Sequence, residues 1–196
     1  MRAMVVRDYG TAPAVCEVAD PARPTADVLA AWVNPAGMAV AAAAGLNPFR
    51  RPALPLVLGL DGVARRADAA LLHFFGPAAP YGAFAERVPL AGAETVPPPG
   101  GLDSSRTAAL GISGVAAWTA LAGTGALRSG KSVLVLGANG QAGRIAVQAA
   151  RLLGARRVTG VVQHEAAREA PLRLGAGAMV TSQDLPPPTE RLLEPD

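Results

Sequence analysis

Short apolar and β-branched runs, broken every few positions by Gly or Pro, pattern the chain up to about residue 100. Residues 2 to 7, 14 to 19 and 27 to 33 are of strand length, with Tyr9-Gly10 and Asp20-Pro21 standing where turns belong. Val15, Val18, Val28, Leu29, Trp32 and Val33 supply the bulky side chains that a pleated surface favours. An alanine-rich run over residues 36 to 44 follows Asn34-Pro35. It predicts a short helix capped by the Asn34 side chain, with Pro35 tolerated in the first turn and a stop at Gly45. Residues 54 to 60, 70 to 75 and 84 to 90 predict further strands.

Pro97-Pro98-Pro99-Gly100-Gly101 ends that pattern and reads as a stiff crossover, dividing a β-rich part over residues 1–100 from a second part over 101–196. Asp103 predicts a cap for a helix running to Leu110. Ser113 predicts a cap for another that carries Val115, Ala116, Trp118, Thr119 and Leu121 and stops at Gly123 and Gly125. Ser132-Val133-Leu134-Val135-Leu136 is a continuous apolar run of the kind found in strands buried on both faces. It leads into Gly137-Ala138-Asn139-Gly140-Gln141-Ala142-Gly143 and then a helix whose broad apolar face holds Ile145, Val147, Ala149, Ala150, Leu152 and Leu153, ending at Gly154. Residues 158 to 162 supply the next strand. A weaker helix over 165 to 174, a stop at Gly175, a strand around 178 to 181 and a frayed proline-rich tail complete the reading.

Strand, glycine turn, helix and strand make a βαβ unit, the context in which a G-x-x-G-x-x-G pattern acquires meaning. Its glycines permit a tight turn, close approach of backbone to a pyrophosphate, and close packing of helix on strand. Phosphate oxygens then meet the free N–H groups of the helix N-terminus. The residues from Gly137 through Ala138, Asn139, Gly140, Gln141 and Ala142 to Gly143 are therefore the candidate cofactor cradle, against the alternative of a turn in a doubly wound protein that binds nothing there. The position where Asp or Glu would hold the ribose 2′-hydroxyl of NAD is Gln163, followed by His164, with Arg157 and Arg168 close in sequence. This favours NADPH, with NADH the alternative, and places Gln163, His164 and Arg168 at the adenosine end of the site.

Composition narrows the classes. A chain of 196 residues, 51% hydrophobic and 17% charged, buries a real core. Its 18 basic residues are almost all Arg and are scattered, and the net charge is +3, which argues against a nucleic-acid surface. The single cysteine, Cys16, excludes an internal disulfide framework and a cysteine-based zinc site. The first residues carry no apolar secretory core, and no stretch of roughly 18 apolar residues escapes interruption by Gly, Pro or Arg. A cytoplasmic protein without a membrane span is expected.

The residues resemble the medium-chain dehydrogenase/reductase superfamily, and within it the zinc-independent quinone oxidoreductase branch, over nearly the whole chain. The resemblance rests on Val33-Asn34-Pro35, Pro55-Leu56-Val57-Leu58-Gly59-Leu60-Asp61-Gly62 and Tyr81-Gly82-Ala83-Phe84-Ala85-Glu86 in the first part. In the second it rests on Pro99-Gly100-Gly101-Leu102-Asp103, Ala108-Ala109-Leu110, Ala117-Trp118-Thr119-Ala120-Leu121 and Val133-Leu134-Val135-Leu136-Gly137-Ala138-Asn139-Gly140. It implies an α/β protein in which a GroES-like β-rich catalytic domain precedes a partial Rossmann doubly wound parallel sheet. It further implies hydride transfer from NAD(P)H to a quinone, an enone or a similar carbonyl compound in the cleft between the two.

The zinc-dependent branch would need a cysteine where this chain has Pro35, Ala36 and Gly37, and a histidine near Leu60-Asp61; His73 and His164 stand elsewhere. No metal is expected, His73 reads as an ordinary strand residue, and catalysis must rest on positioning and on hydrogen bonds to a developing oxyanion. Asn34 matches a family position where an amide can donate to a substrate carbonyl, a role to be weighed against its helix cap. Tyr81 is the other polar candidate, against a plain turn residue. Ala116 stands where the family often has Thr. Residues 63 to 72 read as a shortened connection. About 60 residues follow Leu136, room for roughly two more strands where a full dinucleotide domain needs six in all, so the second mononucleotide half is expected to lie outside this chain. A homodimer or a completing chain is one way to supply it. A nucleotide-binding or interaction protein without catalysis, or an inactive remnant of the fold, are the alternatives.

Overall fold

The computed structural model describes residues 1–42 and 52–185; the expected stop at Gly45 and the proline-rich tail lie outside them. The chain divides into two compact units, Met1–Ile112 and Ser113–Asp196. The division falls beyond the proline crossover because the first helical turns after it stay with the β-rich unit.

In the first unit, β1 (Arg2–Val6) lies between β2 (Ala14–Glu17) and β4 (Leu56–Val57) in a small antiparallel sheet. A five-stranded antiparallel sheet runs in the order β7 (Arg87–Pro89), β3 (Thr25–Ala31), β5 (Asp61–Arg65), β6 (Leu71–Phe75), β8 (Glu94–Val96). The strands at 2 to 7, 14 to 19, 27 to 33 and 70 to 75 thus form close to where the pattern places them. The runs at 54 to 60 and 84 to 90 contribute only short strands, at Leu56–Val57 and Arg87–Pro89. The connection read at residues 63 to 72 contains the end of β5, which is the central strand of the larger sheet. Its Asp-Gly start looks like a turn. Here the backbone is extended because β3 and β6 hydrogen-bond it on both sides. Phe74 and Val88 are fully buried on one face of this sheet and Val63 on the other, opposite His73, each stabilising the unit by about 1.5–3 kcal/mol through the water it leaves.

Helix α1 (Pro35–Ala41) begins as the sequence predicts: Pro35 opens it and the Asn34 Oδ1 accepts from the Gly37 N–H at 2.8 Å. Helix α2 (Ser104–Trp118) begins on Asp103, whose Oδ1 accepts from the Arg106 N–H at 2.8 Å. The second cap differs from expectation. The helix breaks at Gly111 (φ −18°, ψ −122°), and Ile112, not the segment after Ser113, makes the capping contact, donating its N–H to Asp61 Oδ2 at 3.1 Å. One helical run, Ser104–Thr124, is long and apolar enough to cross a membrane by length and composition alone; the kink at Gly111 interrupts it.

The second unit is a parallel sheet in the order β11 (Ala178–Thr181), β10 (Arg157–Val162), β9 (Ser132–Leu136). Helix α3 (Gln141–Leu152) joins β9 to β10, and α4 (Glu169–Arg173), after a 3₁₀ turn at Glu165–Ala167, joins β10 to β11. Val147, Ala149 and Ala150 of α3 pack with Val135, Val158 and Val162 in one core. Two expectations change. Leu152 is 84% exposed, since it lies about 140° around the helix from Val147. β9 is buried on one face only: Val133 and Val135 turn into the core, while Leu134 and Leu136 are 55% and 69% exposed. α3 covers one face of β9 while, among the described residues, Leu134 and Leu136 on the other face stay exposed, so the strand alternates like any half-covered one.

Candidate functional site

The carboxyl ends of β9, β10 and β11 fall on one edge of the parallel sheet, where doubly wound proteins bind their ligands. The glycine turn follows β9 there. Gly137 has φ +68°, a conformation that side chains with a Cβ rarely adopt. The Ala138 N–H donates to the Val161 carbonyl at 2.9 Å, tying the turn to β10, and the Gly140 N–H donates to the Gly137 carbonyl at 2.9 Å. Gly143 packs so closely that a Cβ would stand 2.2 Å from the Gly137 oxygen. Gly140 is the N-cap of α3, has an ordinary extended conformation (φ −70°, ψ 166°) and lends the helix no side-chain cap. A Cβ there would meet only the Gly137 oxygen, at 3.2 Å. The first and third glycines are thus required by the protein itself. The middle one keeps space open on the outer side of the turn, beside the first N–H groups of α3.

Asn139 is drawn into the same turn by Arg144, whose Nε donates to the Asn139 carbonyl at 2.8 Å and to its Oδ1 at 3.2 Å, and whose Nη2 donates to Oδ1 at 2.7 Å. The sequence reading passed over Arg144. Its signal was available, as a cation in the first turn of a helix that has no acidic residue there.

Gln163 and His164 follow β10 directly and are exposed beside the turn's edge of the sheet. Arg168 is engaged, with Nε 2.6 Å from Glu165 Oε2 and Nη2 3.5 Å from Asp184 Oδ2. Asp184 also accepts from the Thr181 N–H at 2.7 Å and the Thr181 hydroxyl at 2.8 Å. Those two bonds, the backbone one foremost, hold its carboxyl below the usual carboxylate range, with the charge of Arg168 adding to them. Arg157 is placed wrongly by its sequence proximity: it starts β10, opposite Ser132, about 17 Å along the strand from the carboxyl end.

An open groove of about 890 Å³ runs along β9, lined by residues such as Ala120, Leu127, Val133 and Ala146 and reaching the turn at Ala142 and Gly143. It is mainly apolar, and its cations Arg128 and Lys131 precede the amino end of β9, away from the glycine turn, so it is not the phosphate seat.

In the first unit Asn34 is buried, 6% exposed, its Oδ1 committed to the Gly37 N–H. No described residue accepts from its Nδ2, which remains the available donor. Tyr81 closes a turn, donating its N–H to the Ala78 carbonyl at 3.0 Å. A buried pair escaped the sequence reading: His73 Nε2 lies 3.2 Å from Asp61 Oδ2, with the two side chains 7% and 2% exposed. His73 faces a specific partner and is more than a plain strand residue. Among the described residues no group of three or more His, Cys, Asp or Glu could hold a metal ion.

No protein-family model and no curated protein matches the chain. Solved structures do. The quinone oxidoreductase of Thermus thermophilus, solved alone and with NADPH, is similar at a TM-score of 0.81 and 28% identity, over 95% of this chain and 60% of its own. Escherichia coli quinone oxidoreductase complexed with NADPH gives 0.81 and 20% over 95% and 60%. An NAD-dependent alcohol dehydrogenase gives 0.80 and 24% over 93% and 64%. The chain has the two-part α/β fold of the medium-chain dehydrogenase/reductase superfamily. Within it, the solved structures it resembles include quinone oxidoreductases, and the chain spans about three fifths of their length.

Proposed function

We propose that this chain is the cofactor-binding and catalytic portion of a zinc-independent, NADPH-dependent oxidoreductase that transfers hydride to a quinone, an enone or a similar carbonyl compound in the cytoplasm. The observation that carries the reading is Gly140. Neither its backbone conformation nor its packing demands glycine as strongly as those of Gly137 and Gly143 do, and the space it leaves lies where a pyrophosphate meets the N-terminus of α3. The NADPH complexes of similar quinone oxidoreductases support it.

When bound, NADPH supplies the hydride. The residues of this chain bind and orient. The turn from Gly137 to Gly143, with Ala138, Asn139, Gln141 and Ala142 between its glycines, holds the pyrophosphate on backbone N–H groups. Gln163 and His164 lie at the ribose, where a neutral amide and an imidazole leave room for a 2′-phosphate that a carboxylate would repel, and Arg168 reaches it by exchanging its ion pairs with Glu165 and Asp184. In the first unit Asn34 donates from Nδ2 to the substrate carbonyl as negative charge develops on that oxygen, its orientation fixed by the cap it makes through Oδ1. Tyr81 is the second polar group of that site. No metal takes part.

Fluorescence titration of the chain with NADPH and NADH tests the reading. Saturable binding that favours NADPH is expected, together with its loss in Gly140→Val, whose side chain fills the phosphate space. Unchanged affinity in that variant defeats the cofactor site. Turnover of quinones and enones with bound NADPH separates an enzyme from a protein that only holds the nucleotide. EDTA treatment is expected to leave the thermal transition and any activity unaltered, and loss of either refutes the zinc-free assignment.

A further inference from the structure

We infer that Arg144 is a phosphate-binding residue of the glycine turn, an assignment that rests on the NADPH reading above and adds a charged side chain to a cradle otherwise made of backbone. The guanidinium has five N–H groups. Nε and one proton of Nη2 are spent on Asn139, both on neutral acceptors, which leaves three for a ligand. Its charge is uncompensated, with no described carboxylate within ion-pair distance; other arginines such as Arg128 and Arg157 share that, but Arg144 alone of them is bonded to the glycine turn.

Its place on the helix points the same way. A cation in the first turn opposes the helix macrodipole, and helices usually put Asp or Glu there. α3 has neither, and its N-cap is a glycine without a side chain. The N-terminus of α3 therefore collects the helix dipole and a guanidinium, with no acidic residue in the first turn and no side-chain bond from its N-cap. The guanidinium is also fixed in direction, because the two-point grip on Asn139 ties it to the middle of the turn. A diphosphate bound at Gly140 supplies the missing negative charge and takes fork-shaped hydrogen bonds from a group already ordered.

A purely mechanical role, in which Arg144 only staples the turn through Asn139, makes a different forecast. Isothermal titration calorimetry of the full chain with NADPH, and separately with inorganic pyrophosphate, at low and high salt distinguishes the two. Arg144→Gln removes the charge and keeps an amide to bond Asn139. It is expected to weaken both ligands about tenfold or more and to flatten their salt dependence. Arg144→Lys keeps the salt dependence and part of the affinity. Asn139→Ala removes the two bonds to Oδ1 but keeps the bond to the backbone carbonyl and the guanidinium charge, and is expected to lower affinity clearly less than Arg144→Gln while retaining the salt dependence of the parent chain. Thermal melts of each variant establish that it is folded. Wild-type affinity in Arg144→Gln, or an Asn139→Ala loss as large as that of Arg144→Gln, overturns the assignment while the cofactor reading stands. If the parent chain fails to bind NADPH, the cofactor reading falls, and pyrophosphate decides for Arg144: binding that Arg144→Gln abolishes upholds it, and no binding overturns it.

Discussion

Asp61 illustrates how a residue that looks out of place in a strand is made to belong there. Its Oδ2 is shared by the His73 imidazole and the Ile112 N–H, in a space so tight that a Cβ on Gly111 would sit 1.9 Å from the same oxygen. Removing the carboxylate leaves two buried polar groups without a partner, which costs about 1–3 kcal/mol for each. Asp61→Ala is accordingly expected to destabilise the chain by about 3 kcal/mol in urea unfolding, and Asp61→Asn by less, since its amide oxygen still accepts. A midpoint unchanged in Asp61→Ala counts against the cap. Surface acids behave differently. Asp20 is held below the usual carboxylate range first by the Arg87 side chain and then by the Met1 ammonium, with contacts of 2.5 and 3.2 Å. A carboxyl with a depressed value stabilises the fold above its ordinary range and ceases to as pH falls through the lower folded value. In a carboxyl-carbon NMR titration Asp20 should titrate below a free aspartate, and Arg87→Ala should move it back up. A normal value in the parent chain disproves the pairing.

At the scale of elements, the βαβ unit was legible because its signals agree: an apolar run, a glycine pattern that opens a helix, a glycine that closes it, and another apolar run. The helix cap at Asn34 was legible for the same reason, as a local rule met by local residues. The central strand β5 was not, since Asp61-Gly62 reads as a turn and only its neighbours across the sheet make it a strand. Asp61 tolerates burial there through His73, and Gly62 is required because a Cβ would meet the Ala30 carbonyl at 2.6 Å and the Phe74 ring at 3.1 Å. Both reasons are long-range. The Asp61 cap and the Arg144 grip belong with it: each joins residues whose pairing no periodicity announces. Within the turn, sterics assign the glycines different tasks, so their substitutions should fail differently. Gly143→Ala is expected to lower the melting temperature by several degrees, since its Cβ collides with backbone that cannot yield, whereas Gly140→Val acts chiefly on NADPH affinity. Equal stability of Gly143→Ala and the parent chain removes that distinction.

For the molecule as a whole, the two units were legible to different degrees. The elements of the parallel-sheet unit, Ser113–Asp196, are largely written in the sequence. The β-rich unit is recognisable chiefly by the order of its motifs, because each strand is short and the polar groups of its interior are paired across the sheet. Candidate donors followed that division: the turn could be read as a site outright, while Asn34 shows its spare amide only once its other half is seen to hold α1.

The kink in α2 joins these scales in time as well as in space. Ile112 is 51 positions from the carboxylate that accepts its N–H, so the helical turn after Gly111 cannot be locked by its own neighbourhood and must wait until β5 has been laid between β3 and β6. Its amide proton is therefore sheltered from deuterium only as long as that sheet persists. A single slow-exchanging amide at Ile112 then reports the lifetime of the β-rich unit from the end of the helix that leads out of it.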